Sequence, residues 1–203
     1  MSKILYLDTE TTGTDPKVNG LIQIAMIAEV DGCPVGELNV NLRTFPDDEI
    51  VEKALEVTGT TREDIDGYEE PTIVHARIVK FLNRYINPHE RTDKFTAAGY
   101  NVRFDLQFMN AFFRKCSTPT KKSFWGSYAD WYYLDPLRLL AWFRRLGLVD
   151  LPDYKLGTVC DHFGIKLGED AHDALADIRA TRDLVKKFEG FLSNIEMEEV
   201  SPA

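Results

Sequence analysis

The segment ILYLDTETTG, residues 4–13, sets a continuous apolar run directly before acidic and hydroxyl side chains. The apolar run predicts a strand that is buried on both faces of a sheet. Because side chains alternate along a strand, Asp8 and Glu10 are expected to leave its end on the same side. The segment therefore predicts two neighbouring carboxylates at the end of a central strand.

Three more acidic residues, Asp105, Asp135 and Asp177, stand in segments where a charge is unusual. Asp105 and Asp177 each fall within the apolar stripe of a predicted helix, and Asp135 follows a short predicted strand. A carboxylate that points toward a core is costly unless a cation partners it. Together with the two carboxylates of the first strand, these positions predict one shared divalent-cation site.

Each of these residues also has an ordinary structural explanation. Asp8 could cap a turn after its strand, and Asn101 could cap the helix that follows it. Asp105 and Asp177 could instead pair with arginines that are near in sequence. The nearest are Arg103 and Arg179.

The length and cysteine content indicate a single domain from a reducing compartment. The chain has 203 residues and three cysteines without CxxC spacing. The first strand begins almost at the N-terminus, which leaves no room for a signal peptide. No apolar run approaches the ~18 residues of a membrane-spanning helix. We therefore expect a soluble, cytoplasmic protein with no membrane partner.

The charge of the chain is unevenly distributed. The net charge is −9, yet residues 77–145 hold 13 Lys and Arg against 5 Asp and Glu, a balance of +8. The remaining residues balance to −17. Such charges can simply keep helix faces solvated, but a basic middle also permits local contact with phosphates without strong retention on duplex DNA.

The order of the predicted elements indicates an α/β fold. Three early strands are expected, the second and third joined by a turn at Asp31-Gly32. Helices and short strands then alternate, which predicts a mixed five-stranded sheet flanked by helices. The predicted strands cover residues 3–8, 21–30, 35–44, 95–100 and 131–134. The predicted helices cover about 48–57, 71–86, 155–163 and 173–188, with two more around Asp105 and after Asp135.

A basic and then aromatic stretch, residues 114–133, is the clearest candidate for contact with nucleic acid. Single strands are bound by cations that neutralise phosphates and by aromatic rings that stack on bases. Phe124, Trp125 and Tyr128 fall in a predicted loop and are candidates for stacking. Residues 131–133 are instead interpreted as strand residues of the core.

Read together, DTE at residues 8–10, NVRFD at 101–105 and HDALAD at 172–177 resemble the motifs of the DEDDh family of 3′–5′ exonucleases. This family has the RNase H-like fold and includes the proofreading subunits of bacterial DNA polymerase III and their free-standing or phage relatives. The resemblance runs from residue 3 to about residue 188. It implies an exonuclease domain at 1–190 and a short acidic C-terminal tail at 191–203, too short for a polymerase-binding extension.

The resemblance implies a role for each matching residue. Asp8, Glu10, Asp105 and Asp177 would hold two Mg²⁺ or Mn²⁺ ions, and His172 would be the general base. Five residues turn a helix by roughly 140°, so His172 is expected in the turn before the last helix rather than within it. Expected substrate-binding residues are Thr9, Thr11, Thr12, Asn101, Phe104 and, from the aromatic stretch, Trp125.

The implied activity is the release of nucleoside 5′-monophosphates from the 3′ ends of DNA, with single strands or frayed ends preferred. Two alternatives stay open, namely trimming of RNA 3′ ends and a non-catalytic nucleic-acid-binding module. A DNA polymerase is a further expected partner, in proofreading, replication or repair. Tyr100 and Thr58 stand where many relatives have a histidine, so changed substrate contacts are expected there.

Overall fold

A computed structural model describes residues 2–120, 122–168 and 173–193, and within them five strands form one mixed sheet. The strand order is β3-β2-β1-β4-β5. The first three strands are antiparallel neighbours, and β4 and β5 run parallel to β1. The strands are β1 (Lys3–Thr11), β2 (Leu21–Val30), β3 (Cys33–Asn41), β4 (Phe95–Ala98) and β5 (Ala129–Leu134). The predicted mixed five-stranded sheet is confirmed.

The turn between β2 and β3 is a two-residue hairpin loop. Asp31 and Gly32 have φ angles of 49° and 82°, and Val30 pairs with Cys33 across the turn. Positive φ at both central residues matches the right-handed twist of the flanking strands, and Asp-Gly tolerates it well. The predicted hairpin is therefore present. Its loop is shorter than expected, because β3 begins at Cys33 and not at residue 35.

Helices cover both faces of the sheet. They are α1 (Glu52–Thr58), α2 (Arg62–Gly67), α3 (Pro71–Leu82), α4 (Arg103–Lys115), α5 (Pro136–Arg145), α6 (Leu156–Phe163) and α7 (Ala174–Ser193). Within the described part of the chain, none of them combines the length and apolar character needed to cross a bilayer. Helix α7 runs three residues beyond the predicted domain end at 190, and residues 194–203 lie outside the described residues.

Strand β1 lies at the centre of the sheet, and its side chains enter two separate cores. Ile4 and Tyr6 pack in the cluster with Ile178 of α7. Leu5 and Leu7 pack on the opposite face, in the cluster that contains Phe108 of α4. This alternation confirms the predicted strand buried on both faces, and it directs the even-numbered residues of β1 toward α7.

Strand β4 is shorter than β1, so the end of β1 projects beyond it. The parallel pairing stops at Tyr6 and Ala98. Gly99 then passes so close to β1 that a Cβ atom there would lie 2.6 Å from the Leu7 carbonyl oxygen. This approach requires glycine and brings the start of α4 against the carboxylate-bearing end of β1.

The edge strand β5 corrects one prediction. Residues 131–133 were expected in the core, but Trp131 is 87% exposed and Tyr132 is 48% exposed. Because β5 is the last strand of the sheet, its outer edge has no neighbouring strand among the described residues. The aromatic composition indicated a strand correctly but did not indicate its place in the sheet.

Candidate metal centre

Asp8 and Glu10 lie near the C-terminal end of β1. Both side chains are half-buried, whereas Thr9 and Thr11 between and after them are buried. The pattern follows the expected period of two and sends both carboxylates to the α7 side of the sheet. On the neighbouring strand β2 they stand opposite Ala25 and Gln23, neither of which carries a charge.

Asp105 reaches the same end of β1 from the first turn of α4. Its side chain is only 4% exposed, and its Oδ1 accepts hydrogen bonds from Thr9 N (3.0 Å) and Thr9 Oγ1 (2.7 Å). The alternative pairing with Arg103 is not formed, since no described salt bridge joins the two. Thr9 therefore acts as an anchor for Asp105.

Asp177 lies in the first turn of α7 and is half-buried, and its charge acts on Asp8 and Glu10. Arg179, the alternative partner, instead pairs with Glu37 of β3 at 2.6 Å. Asp173, just before α7, accepts a hydrogen bond from Leu175 N at 3.1 Å. Its charge also acts on Asp8 and Glu10. Sequence reasoning did not assign Asp173 a place in this cluster, although it lies within the HDALAD motif.

Burial and neighbouring negative charges raise the pKa values of these carboxylates. Burial, and then the charges of Asp105, Glu10, Asp177 and Asp173, hold the pKa of Asp8 well above its usual range. Burial, followed by the charges of Asp177 and Asp105, raises the pKa of Glu10 to about 7. Burial raises the pKa of Asp105 to about 7 as well, although the Thr9 hydrogen bonds oppose the shift. Desolvation is thus the first cause of all three shifts, and nearby like charges add to it, with Asp135 the one that acts on Asp105.

The donor set fits a hard divalent cation. The carboxylates supply oxygen ligands, and the pKa values of Asp8, Glu10 and Asp105 are set by burial, other carboxylates and hydrogen bonds rather than by a lysine or arginine. Within residues 2–120, 122–168 and 173–193, no three Asp, Glu, His or Cys side chains are close enough together to coordinate one metal ion as they stand. The acidic side chains thus lie within electrostatic reach of one another without forming a finished coordination shell.

Asp135 has a structural role that differs from that of the other acids. Its Oδ1 accepts hydrogen bonds from Leu137 N (3.1 Å), which caps α5, and from Asn101 N (3.0 Å). Asn101 is exposed and adopts a left-handed φ of 58°, and Asp135 holds it there. The neighbouring Tyr100 donates its hydroxyl hydrogen to the Tyr154 carbonyl. Asp135 therefore positions the turn that leads into α4.

A cleft of about 500 Å³ opens beside Glu10. Of the residues expected to bind substrate, Thr9, Thr11 and Phe104 line it. Its remaining apolar wall comes from helix α1 and the residue before it: Val51, Ala54 and Val57. Sequence reasoning missed this wall. The sequence does contain a signal for it, because the apolar residues Val51, Ala54 and Val57 are spaced three apart. Leu55, which packs into the core, is not part of this series.

Thr12 does not line this cleft, which corrects its expected role in substrate binding. Its side chain is fully buried, donates to the Glu49 carbonyl (2.7 Å) and accepts from Gly20 N (2.9 Å). These bonds fasten the loop after β1 to the chain on either side of it. A hydroxyl group that is satisfied in this way has no face left for a ligand.

The structure also corrects the prediction that Trp125 stacks on a base. The side chain is 3% exposed and its ring packs edge-on against Phe113 at 5.3 Å between centroids. A ring enclosed by the core cannot stack on a base. Tyr128 is buried as well, whereas Phe124 is 58% exposed.

Replacing Trp125 with alanine is therefore expected to act on stability. The loss of a large buried aromatic side chain costs about 3–5 kcal/mol of the free energy of unfolding. Phe124→Ala is the matched control, with a change within about 0.5 kcal/mol expected for an exposed site. Urea denaturation measures both. Equal stability of the Trp125→Ala and wild-type proteins would contradict the placement of this ring in the core.

His172, the expected general base, lies outside the described residues. Among the described residues, helix α7 begins at Ala174. The position of His172 in the turn before this helix and its role as the base both stay predictions.

The raised carboxylate pKa values predict how pH and metal affect stability. Between about pH 4 and about pH 7 the folded chain binds more protons than the unfolded chain at Glu10 and Asp105. The metal-free protein should therefore lose stability as pH rises through this window. A divalent cation competes with these protons, so it should stabilise the fold more at about pH 8 than at about pH 5.

The measurement is thermal unfolding in EDTA and in Mg²⁺ at both pH values. At a metal concentration of about 100 times the Kd, metal binding adds about 2.7 kcal/mol to the free energy of unfolding. For a domain of this size, that raises Tm by roughly 5–10 °C. A metal-induced shift of equal size at both pH values would contradict the assignment of these carboxylates as ligands.

Comparison with known proteins places the chain in a family. The model of a family described as exonuclease (RNase T) matches residues 5–185. PolC-type DNA polymerase III of Thermotoga petrophila is 27% identical over 200 residues, which are 97% of this chain and 12% of that protein. Exodeoxyribonuclease I of Escherichia coli K12 is 29% identical over 195 residues, which are 91% of this chain and 39% of that protein.

A solved structure shows the same fold. The zinc-bound complex of E. coli exonuclease I with single-stranded DNA superposes with a TM-score of 0.74 and 25% identity, covering 96% of this chain and 42% of that one. The predicted RNase H-like fold is confirmed. The chain spans about an eighth of the polymerase and about two fifths of exonuclease I.

Proposed function

This chain belongs to the exonuclease family, and from that premise we propose that it is a metal-dependent 3′–5′ exonuclease that acts on single-stranded DNA. The observation that carries the proposal is the group of mutually repelling carboxylates beside an open cleft. Asp8, Glu10 and Asp105 all have raised pKa values, and the cleft of about 500 Å³ begins at Glu10. Such a cluster is suited to a cationic partner and a phosphate-bearing substrate.

In this proposal Asp8, Glu10, Asp105 and Asp177 hold two divalent cations, Mg²⁺ or Mn²⁺. Carboxylate oxygens are the ligands that both ions prefer. When bound, such ions stabilise charge on both the attacking and the leaving oxygen of an in-line phosphoryl displacement. Thr9 fixes the orientation of the Asp105 carboxylate through its two hydrogen bonds.

His172 accepts the proton of the attacking water. The water oxygen bonds to the phosphorus of the last phosphodiester while the bond from that phosphorus to the 3′ oxygen of the preceding nucleotide breaks, and this 3′ oxygen takes up a proton from solvent. The products are a nucleoside 5′-monophosphate and a strand shortened by one nucleotide. A histidine suits this role because its side chain titrates near neutral pH.

The cleft receives the terminal nucleotide. Phe104 and the apolar side chains of Val51, Ala54 and Val57 offer a surface for a base and sugar, and Thr11 and Glu10 line the same cleft. Phe104 is held by its contact with Phe108, 4.9 Å between centroids. A preformed apolar wall near the carboxylates would position the last phosphodiester for attack.

The preference for DNA is supported by the relatives. They are named as a DNA polymerase and an exodeoxyribonuclease, and the solved structure of exonuclease I holds single-stranded DNA. Frayed 3′ ends are included in the proposal because their last nucleotides are single-stranded. A polymerase partner and a cytoplasmic location stay predictions.

The test compares 5′-labelled single-stranded DNA, blunt duplex DNA and RNA of one sequence, each with Mg²⁺, Mn²⁺ or EDTA. The expected result is stepwise shortening of single-stranded DNA that requires the metal, with duplex and RNA cut more slowly. Chromatography should identify nucleoside 5′-monophosphates. Faster cutting of RNA would replace the DNA assignment with RNA 3′-end trimming, and metal binding without any cutting would indicate the non-catalytic module.

A further inference from the structure

A groove of about 620 Å³ lies between α3 and residues 122–128, away from the carboxylates. We call it the basic groove. Its lining includes Lys80, Arg84 and Lys122, with His75 and His89, and contains no aspartate or glutamate. Although the chain has a net charge of −9, every charged side chain in this lining is cationic. It is therefore suited to an anionic ligand.

The cations of the basic groove are available to a ligand. Lys80, Arg84 and Lys122 are exposed, and none of them forms a salt bridge with any described residue. Phe124 lines the same groove and is 58% exposed. A ring that is open to solvent beside unpaired cations suits bases that stack and phosphates that need neutralising, which favours a single-stranded nucleic acid over an acidic protein segment.

Helix α4 connects this groove with the carboxylates. It begins at Arg103, two residues before Asp105, and its 13 residues span about 20 Å. Arg103, Gln107, Asn110 and Arg114 are exposed at spacings of four, three and four, so they form one stripe along the helix. We call them the α4 stripe. It contains no acidic residue, and no described salt bridge uses either arginine.

The far end of α4 contacts the basic groove directly. The ring of His75 packs against Phe113 at 4.8 Å between centroids. Ser117, just after the helix, accepts a hydrogen bond from Ser123 N at 2.9 Å, and the Ser123 hydroxyl lies 2.8 Å from His75 Nε2. Through His75 and Ser123, the basic groove therefore packs against the C-terminal end of α4, the helix whose first turn carries Asp105.

We propose that the α4 stripe and the basic groove form one track for the 5′ portion of a single-stranded DNA whose 3′ end lies at the carboxylates. The inference rests on the proposed function. The arginines and amides of the stripe contact the sugar-phosphate backbone, the cations of the groove neutralise phosphates farther from the 3′ end, and Phe124 stacks on a base. Strands long enough to reach the groove are bound more tightly than short ones.

The experiment measures binding of fluorescein-labelled oligonucleotides of about 4 and about 16 nucleotides, the usual range of single-strand site sizes, by anisotropy in EDTA. The groove variant is Arg84→Ser with Lys122→Ser. The matched control is Lys155→Ser with Lys166→Ser, which removes the same charge from exposed positions outside the track. Phe124→Ala is an independent third variant, and thermal unfolding verifies that all are folded.

For the long strand, the groove variant should bind roughly tenfold more weakly, and the slope of log Kd against log salt should fall by about 1.4, or ~0.7 for each phosphate that is no longer neutralised. Phe124→Ala should weaken it by between about fivefold and about a hundredfold. The short strand should be unaffected. If the groove variant and the control variant bound the long strand with the same affinity and the same salt slope, the proposed track would be overturned. This would hold even if the groove bound a different anion. Because binding in EDTA needs no hydrolysis, a lack of turnover would count against the proposed function alone.

Discussion

Replacing Asp8 with asparagine is expected to abolish hydrolysis, with a loss of at least about 10³-fold in kcat. The charges of Asp105, Glu10, Asp177 and Asp173 all act on Asp8, so we expect this carboxylate to be shared by the bound cations. Cation catalysis contributes several kcal/mol to phosphoryl transfer, and each ~1.4 kcal/mol is a factor of ten in rate. The metal-free fold should be as stable as the wild type or more so, because one repelling charge is removed.

Asp105 provides the matched comparison. Asp105→Asn should lose activity in the same way while keeping an acceptor for Thr9, whereas Asp105→Ala leaves Thr9 N without its partner and should also lose about 1–3 kcal/mol of stability. Single-turnover kinetics at saturating Mg²⁺ and urea denaturation separate the two effects. Near-normal turnover of Asp8→Asn would show that this carboxylate is not required by the reaction.

Replacing His172 with alanine is expected to lower kcat by about 10²–10⁴-fold, the usual span for a lost general base. Metal affinity and KM should change little, because His172 is assigned to the water and not to a cation. In the intact enzyme the rate should also fall on the acid side of neutrality, since a protonated histidine cannot accept a proton.

The pH profile distinguishes this role from that of the carboxylates. Protonation of Glu10 and Asp105 also lowers activity near their pKa values of about 7, but saturating metal displaces those protons. At saturating metal, the fall in rate on the acid side of neutrality should persist in the wild type and be absent from His172→Ala. A variant that no longer binds Mn²⁺ would instead identify His172 as a ligand.

The sequence predicted the parts of the site that follow from local periodicity. The apolar run before Asp8 is typical of a buried strand, and the period of two then predicted that Asp8 and Glu10 lie on one side of it. The Asp31-Gly32 hairpin was predicted for the same reason, since its turn chemistry is local. A missed element, α2, was also visible locally, because Thr61 and Asp64 form a capping box.

The errors concern residues whose roles depend on distant neighbours. Asp135 and Asp105 look alike in sequence, yet the first caps a helix and orients Asn101 while the second joins the carboxylates. Trp125 and Phe124 are adjacent aromatic residues, and only packing against Phe113 decides which of them is buried. Trp131 was assigned to the core because edge and central strands have similar compositions.

The central claim is that Asp8 and its neighbouring carboxylates hold the divalent cations, and calorimetric titration of Mn²⁺ into the wild-type and Asp8→Asn proteins tests it most directly. At about pH 8, where groups with pKa values of about 7 are ionised, the wild type should show saturable binding. Binding should weaken by more than about tenfold in Asp8→Asn, and in the wild type it should weaken at about pH 6. Equal Mn²⁺ affinity of the two proteins at about pH 8 would contradict the account.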